Sequence, residues 1–378
     1  MRSIEYLEEL IAFPSVSCDS NVDISRWVEG ALENVGFETE WIEYQDPNNV
    51  TKVCVSGRKG PDHGRGLAYF CHTDVVPVAS WSFPESGPWQ PYQTGDRIYG
   101  RGSCDMKGSL ACMLAAVDEH TTSELQEPIH IVCTADEEVG LQGARYLAAN
   151  SPMYRAMTER QSRAIIGEPT MLEVIHAHKG GRAMKITSPG LAAHSSTGFG
   201  INANMAMIPF LTGLHALCTE IEGDPAWQDQ RYDPPCISLN LGINDYNYAL
   251  NITAAKSVCT VYFRTMPAID GDVLVDRIRQ LAKDCGLRFD MIFAGDPVFT
   301  DPDSDFVLEL LNLTGQQTSH TVPYGTDGSC FSQLKDMVIF GPGSIEQAHK
   351  DDEWISLEQL RLGTQAYARL IQQWCVSH

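Results

Sequence analysis

Short apolar runs that lead into polar residues are the feature of this chain that most restricts its fold. Three such runs are Leu67–Cys71, Ile129–Cys133 and Ala164–Gly167. The first ends at His72 and the third at Glu168. Runs of this length are typical of buried strands in a largely parallel sheet, and ligands of open α/β sheets collect beyond the carboxyl ends of such strands. The pattern therefore predicts an α/β fold with a polar site at one edge of its sheet.

The length of 378 residues predicts two domains rather than one. The pattern of predicted secondary structure changes between residues 179 and 293, where short strands alternate with amphipathic helices. The predicted strands there are 185–187, 236–240 and 257–263, and the predicted helices are 202–217 and 272–285. We therefore predict a catalytic domain over residues 1–178 and 294–378, with a mixed, largely parallel sheet flanked by helices. Residues 179–293 are predicted to form an inserted α+β domain.

Composition and missing motifs exclude several functional classes. The chain has 49 acidic against 27 basic residues, a net charge of −22 that repels nucleic acid and anionic membranes. No apolar run approaches the roughly 18 residues that a membrane span requires, and the acidic start is unlike a secretory signal. The twelve cysteines form no Cys-x-x-Cys pair, which predicts reduced thiols and a cytoplasmic location. A phosphate-binding loop and the Gly-x-Ser-x-Gly elbow of serine hydrolases are both absent from the sequence.

His72 and Asp74 form the first candidate for chemistry. A histidine followed two residues later by an aspartate can supply a metal ligand and a group that orients it, because a metal-bound imidazole commonly donates its other N–H to a carboxylate. The alternative is a buried histidine at a strand end that has simply found a hydrogen-bond partner. This motif alone does not decide between the two.

Two acidic segments offer further candidates. The glycine-rich loop 100–108 delivers Asp105 at the entry to an apolar helix, where the alternative role is a helix cap. Asp136, Glu137 and Glu138 follow a predicted strand, and their like charges repel unless cations or solvent stabilise them. The alternative here is a solvated loop. If a cation is bound, one glutamate can be a ligand while its neighbour acts as a general base.

Taken together, the candidate ligands comprise two imidazoles and three carboxylates. They are His72, Asp105, Glu138, Glu168 and His349. Such a mixed set of nitrogen and oxygen donors suits two zinc-like ions that share one carboxylate. Sites with two metals polarise carbonyl groups and generate hydroxide near neutral pH.

These motifs resemble, in the same order, those of the M20-type metallo-aminohydrolases. The matching blocks are His-Thr-Asp at 72–74, the loop 100–108, Asp-Glu-Glu at 136–138, Gly-Glu-Pro-Thr at 167–170 and His349. The resemblance implies two divalent ions, with zinc expected and cobalt or manganese as alternatives. It also implies that His72 and Glu168 bind one ion, that Glu138 and His349 bind the other, and that Asp105 bridges them.

The resemblance also assigns residues outside the ligand set. It implies that Asp74 orients His72 and that Glu137 is the general base. It implies that His194 reaches a partner's site to stabilise the oxyanion. It also implies that Asn251 and Arg264 bind a substrate carboxylate, and that Gly325 and Thr326 lie beside the substrate. The alternative for His194 is a turn histidine beside Ser195. The chain departs from the family's common Asn-x-Ile/Val-Pro and Asp-x-Arg patterns at 251–254 and 262–264.

Within the family, the chain most resembles the branch that hydrolyses N2-acetyl-L-ornithine to ornithine and acetate in arginine biosynthesis. The resemblance implies a homodimer formed through the inserted domain and a small N-acyl amino acid as substrate. The alternatives are a succinyl-diaminopimelate desuccinylase, another N-acyl-amino-acid hydrolase or a dipeptidase. A non-catalytic relative that only binds amino acids is disfavoured because Glu137 and all five ligands are present.

Overall fold

A computed structural model describes residues 1–376 and divides the chain into two compact units. The first unit contains Met1–Ala177, Phe299–His320 and the chain from Thr326 onward. The second contains His178–Val298 and Thr321–Gly325. The predicted boundary at 293 is therefore misplaced, and it falls inside a strand, Arg288–Gly295, that remains paired as far as Gly295.

Helices of the described chain occur in both units. Those of the first unit are α1 (Arg2–Ile11), α2 (Val22–Asn34), α3 (Lys107–Asp118), α4 (Gln142–Asn150), α5 (Pro152–Arg160), α8 (Asp305–Thr314) and α9 (Leu357–Ile371). Those of the second unit are α6 (Ala203–Gly223) and α7 (Gly271–Asp284). The Ser356 hydroxyl caps α9 by accepting a hydrogen bond from the Gln359 amide at 3.1 Å.

The strands form three sheets. In chain order they are β1 (Glu38–Gln45), β2 (Thr51–Lys59), β3 (Leu67–His72), β4 (Tyr92–Thr94), β5 (Arg97–Tyr99), β6 (Ile129–Thr134), β7 (Arg163–Ile166), β8 (Ile175–His178), β9 (Gly181–Pro189), β10 (Leu239–Asn244), β11 (Lys256–Phe263), β12 (Arg288–Gly295), β13 (Val298–Phe299), β14 (His320–Val322), β15 (Met337–Ile339) and β16 (Trp354–Ser356). The largest sheet has the order β1-β2-β6-β3-β7-β15-β8-β13, with β14 paired to β8.

The centre of this sheet is parallel and confirms the predicted fold class. β6, β3, β7 and β15 run in the same direction, whereas β1, β2 and β8 are antiparallel to their neighbours. Helices α1, α3 and α9 pack together on this unit, and α3 is buried along almost its whole length. The parallel arrangement places the carboxyl ends of β3, β6 and β7 at one edge of the sheet.

The second unit has an antiparallel sheet in the order β10-β11-β9-β12, against which α6 and α7 pack. Strand β10 begins at Leu239, later than the predicted start at 236. Cys236 instead forms an isolated bridge with Gln228, so the start of the predicted strand belongs to a loop. All twelve cysteines, which lie within the described residues, are free thiols. No helix in residues 1–376 combines the length and hydropathy that a bilayer span requires.

Candidate metal centre and active site

The first group of candidate ligands forms around His72, the last residue of β3. The His72 Nε2 atom lies 3.1 Å from Asp105 Oδ1 and 3.9 Å from Glu168 Oε1. Its Nδ1 atom lies 2.9 Å from the main-chain carbonyl oxygen of Asp74 and 3.7 Å from that residue's carboxylate. Because a carbonyl oxygen only accepts, Nδ1 carries a proton, and Nε2 is the ring nitrogen that faces the two carboxylates.

A second group forms around His349, near the C-terminal end of the chain. Its Nε2 atom lies 2.9 Å from Glu138 Oε2 and 3.4 Å from Asp105 Oδ2. Asp105 therefore presents one carboxylate oxygen to each histidine. In each group, one ligand atom from every residue lies within 4.8 Å of the others. The five predicted ligands thus come together as two triads that share Asp105.

The Asp105 loop is held by a residue that the sequence analysis did not identify. The buried Glu353 carboxylate accepts hydrogen bonds from the main-chain amides of Gly102, Cys104 and Asp105 at 2.9, 2.8 and 3.0 Å. It also forms an ion pair with Arg101 at 2.9 Å. The alternative of a helix cap for Asp105 is wrong, because Met106 is the N-cap residue of α3 and no side chain caps that helix.

The acidic segment after β6 is not a solvated loop. Asp136 is buried, whereas Glu137 and Glu138 are half-buried. The Asp74 carboxylate accepts hydrogen bonds from the main-chain amides of Glu137 and Glu138 at 3.2 and 3.4 Å. It also accepts one from the Ser17 hydroxyl at 2.7 Å. The carboxylate of Asp74 therefore fixes the backbone that carries the two glutamates, while its carbonyl oxygen orients His72.

Burial sets the protonation chemistry of this site. It raises the pKa values of Glu168, Glu137 and Glu138 above their ordinary range, because buried carboxylates resist ionisation. Burial also acts to raise the pKa of Asp105, but hydrogen bonds from His349 and His72 lower it below its usual value. Hydrogen bonds to Asp105 and Glu138 raise the pKa of His349 to about 10. The site is thus a buried, acid-rich cluster that favours added positive charge.

The donor set of the two triads suits divalent metal ions. Each triad offers one imidazole nitrogen and carboxylate oxygens from two residues, which is the mixture that zinc and related divalent ions accept. The Nε2 atom of His72 faces its neighbouring carboxylates, so it is the ring nitrogen available to a metal ion. The residues present therefore fit a pair of divalent cations that share the Asp105 carboxylate.

The second unit contains the other predicted site residues except Thr326. His194 is exposed, and its Nδ1 atom lies 2.7 Å from the Ser196 hydroxyl. The main-chain carbonyl oxygen of Asn251 accepts a hydrogen bond from the Ser195 amide at 2.9 Å, so His194 and Asn251 lie on adjacent segments. The alternative of a turn histidine for His194 agrees with this local bonding.

Arg264 and Gly325 are close neighbours in the same unit. The Arg264 guanidinium is half-buried, and its carbon atom lies 5.1 Å from the centre of the Tyr262 ring. A β-carbon added to Gly325 would lie 3.0 Å from Arg264 Nη1, so glycine leaves room beside the guanidinium. Thr326 belongs to the first unit, where its hydroxyl is buried and accepts a hydrogen bond from the Gly328 amide at 3.0 Å.

A known protein family matches most of the chain. The model of Peptidase family M20/M25/M40 matches residues 68–373, and the chain therefore belongs to this family of hydrolases. Among curated relatives, the chain is similar to the acetylornithine deacetylase of Myxococcus xanthus, with 31% identity over 382 residues that cover 98% of this chain and 96% of that protein. The acetylornithine deacetylase of Proteus mirabilis is 30% identical over 394 residues, which cover 99% of this chain and 97% of that protein.

Solved structures show the same fold at lower sequence identity. An M20 family metallo-carboxypeptidase from Sulfolobus solfataricus has a TM-score of 0.78 at 16% identity and covers 99% of both chains. The dipeptidase Dug1p from Saccharomyces cerevisiae has a TM-score of 0.74 at 15% identity, covering 98% of this chain and 95% of the other. A Bacillus subtilis M20 peptidase described as binding a dinuclear metal has a TM-score of 0.64 at 15% identity, covering 98% of this chain and 96% of the other.

Proposed function

We propose that this protein is a two-metal amidohydrolase that converts N2-acetyl-L-ornithine to L-ornithine and acetate, a step of arginine biosynthesis. The observation that carries the proposal is the pair of ligand triads joined by Asp105. The acetylornithine deacetylases at about 30% identity over nearly the whole chain support the substrate. Twelve free thiols suit a reducing cytoplasm.

The proposed ligands divide between two ions. His72 and Glu168 hold one, Glu138 and His349 hold the other, and Asp105 binds both. When bound, such ions act as Lewis acids toward an amide carbonyl and make water more acidic. The donor set suits zinc, and it also accepts cobalt or manganese.

Glu137 is the proposed general base. Glu137 lies just after the buried end of β6, is half-buried, and directly precedes the proposed ligand Glu138. Burial raises its pKa, which brings the carboxylate closer to the range in which it both accepts and returns a proton. Glu137 takes a proton from the attacking water and passes it to the departing amine.

Residues of the second unit are proposed to bind the substrate. The Arg264 guanidinium, which lies beside Gly325, suits a substrate carboxylate, since a planar guanidinium binds carboxylates through two parallel hydrogen bonds. Asn251 adds an amide donor, and Thr326 lies one residue beyond Gly325. The exposed His194 of a second copy is proposed to donate a hydrogen bond to the oxyanion.

A homodimer formed through the second unit is part of this proposal. Strand β10 is an edge strand of its sheet and presents Leu241 and Ile243, whose side chains are 40% and 61% exposed. Met205 and Ile208 on α6 are also exposed, by 66% and 54%. An exposed edge strand with apolar side chains favours pairing with another strand. Two-fold pairing of identical copies covers the β10 edge of each copy at once.

Acetate release from N2-acetyl-L-ornithine by chelated protein, before and after addition of zinc or cobalt, tests the function. We expect turnover only with metal, and we expect Glu137→Ala to lower it to a small residual rate while keeping both ions. Succinyl-diaminopimelate and a dipeptide serve as rival substrates in the same assay. Preference for either rival over acetylornithine would replace the proposed substrate, whereas metal-independent turnover would contradict the mechanism.

A further inference from the structure

A buried ionic cluster lies directly before the two glutamates of the site. Lys52 of β2 is 1% exposed, and its Nζ atom donates to Asp136 Oδ1 at 2.7 Å. The Tyr44 hydroxyl of β1 donates to the other carboxylate oxygen, Oδ2, at 2.6 Å. Removing a lysine and an aspartate from water costs several kcal/mol per ion. Replacing such a buried pair by apolar side chains of similar volume is often neutral or stabilising. The position of the pair suggests a role other than stability.

The cluster forms part of a closed set of hydrogen bonds around the active-site loop. Lys52 Nζ also donates to the main-chain carbonyl oxygen of Ser17 at 2.5 Å. The Ser17 hydroxyl donates to the Asp74 carboxylate, which in turn accepts the amides of Glu137 and Glu138. The loop is therefore fixed through the side chain of Asp136 on one side and through the backbone of both glutamates on the other.

The backbone of Asp136 adopts a conformation that these hydrogen bonds stabilise. Its φ angle is +60°, in the left-handed region that has a steric cost for residues with a β-carbon. This residue turns the chain where β6 ends, immediately before Glu137. A conformation of this cost persists where surrounding contacts determine it, and here both oxygens of the Asp136 side chain are bound.

We propose that Lys52, Asp136 and Tyr44 form a clamp that positions the Glu137–Glu138 segment, and thereby sets one metal ligand and the general base together. This inference rests on the proposed function. The three residues are positioning residues, because they act through the two glutamates. Loosening the clamp displaces Glu138 from His349 and Glu137 from the attacking water, whereas the substrate-binding residues of the second unit stay unchanged.

Tyr44→Phe tests the clamp with the smallest change, since it removes one hydrogen bond and keeps the ring. Tyr154→Phe is the matched control, because the Tyr154 hydroxyl is buried without a hydrogen-bond partner among the described residues. Metal content after dialysis against a chelator is measured for both. We expect Tyr44→Phe to weaken retention of one ion by about 10-fold, the lower range for residues that support metal ligands, and Tyr154→Phe to leave it unchanged.

Kinetics give a second reading of the same variants. We expect Tyr44→Phe to lower kcat about 10-fold with little change in KM, because an interaction made only in the transition state is weakened. In a Glu137→Ala background, Tyr44→Phe should lower residual kcat no further at saturating metal. The double variant Lys52→Met/Asp136→Asn removes both charges together, so that no unpaired ion is buried, and it should reproduce the loss of metal.

Equal metal retention in Tyr44→Phe and Tyr154→Phe overturns the clamp, whatever the activity. A full multiplicative loss of kcat in the Glu137→Ala background, with metal sites saturated, also overturns it. If the parent protein binds two ions but hydrolyses none of the offered amides, the proposed function fails. Metal retention then still decides whether the clamp exists.

Discussion

Glu353 and Arg101 form a buried ion pair, with 2.9 Å between Oε2 and Nη1, at the loop that carries Asp105. The same carboxylate accepts the main-chain amide of Asp105 at 3.0 Å. Because Glu353 lies only four residues after His349 in the sequence, a single C-terminal segment supplies one candidate ligand and anchors another. The segment from His349 to Glu353 therefore supports both triads, because Asp105 belongs to each of them.

We expect Glu353→Gln to weaken metal binding and stability together. The substitution leaves the Arg101 charge buried and unpaired, a change that costs roughly 3–5 kcal/mol, and loosens the Asp105 loop. Metal affinity should fall by about 10- to 100-fold, as for other groups that support ligands. Chemical denaturation and metal titration measure the two effects.

Glu358→Gln provides the control for this experiment. Glu358 lies on α9 and pairs with Arg361 at the surface, where an ion pair contributes about 0–1 kcal/mol. We expect neither metal affinity nor unfolding to change beyond that amount. Parent-like metal affinity in Glu353→Gln would show that the Asp105 loop keeps its shape without this anchor.

Asp105→Asn should remove both ions, whereas Glu168→Gln should remove one. The reason is that Asp105 belongs to both triads and Glu168 to only one. Elemental analysis of dialysed protein measures metal per chain, which should fall from about two toward zero in Asp105→Asn and to about one in Glu168→Gln. Equal stoichiometry in the two variants would contradict a shared carboxylate.

His130 makes the fold sensitive to acid. Both ring nitrogens of this β6 residue are buried without a hydrogen-bond partner among the described residues. Burial, aided by the nearby Arg160 and Arg58 and opposed by Asp62, lowers the pKa of His130 from 6.5 to about 3. Below pH 6.5 the unfolded chain therefore binds a proton that the folded protein does not, and stability is lost as the pH falls toward 3.

His130→Leu should remove this loss. Relative to the parent, the variant should gain about 2 kcal/mol in the free energy of unfolding at pH 5 compared with pH 7.5, since each pKa unit is worth about 1.4 kcal/mol. Urea denaturation at the two pH values measures this difference. His63→Leu, at an exposed position, should show no such gain. An identical pH dependence in His130→Leu and the parent would show that His130 is protonated in the folded state.

The dimer proposal predicts different effects at the two edges of the second unit's sheet. Ile243 on β10 and Ile292 on β12 are 61% and 58% exposed. We expect Ile243→Lys to yield monomers in sedimentation experiments, because a lysine on an edge strand opposes strand pairing. Ile292→Lys should leave the dimer intact. A parent protein that sediments as a monomer would contradict the proposed dimer.

The sequence predicted what depends on local pattern. His72 and Glu168 were identifiable because each follows an apolar run, and the positions of such residues at strand ends follow from the parallel sheet. The Asp-Glu-Glu segment after β6 was found for the same reason. Strand β10 was placed too early because the sequence pattern alone did not reveal the bridge between Cys236 and Gln228.

The supporting residues could not be predicted because their roles arise from contacts between distant parts of the chain. Glu353 looks like one of many acidic residues until it meets the amides of the Asp105 loop. Lys52 offered a signal, since a charged residue directly precedes the apolar run Val53–Val55 of β2, but its partner Asp136 lies far along the sequence. The left-handed backbone at Asp136 could not be predicted from the sequence, because this residue is not a glycine.

The contribution of the C-terminal segment has a consequence for biosynthesis. His349 and Glu353 lie within the last tenth of the 378-residue chain, after every other member of the two triads. A chain emerging from the ribosome therefore has neither the second triad nor the anchor of the Asp105 loop until residues 349 and 353 have been synthesised. On the proposed assignment, the second ion binds only after His349 has been synthesised, and a product truncated before that residue lacks the second triad.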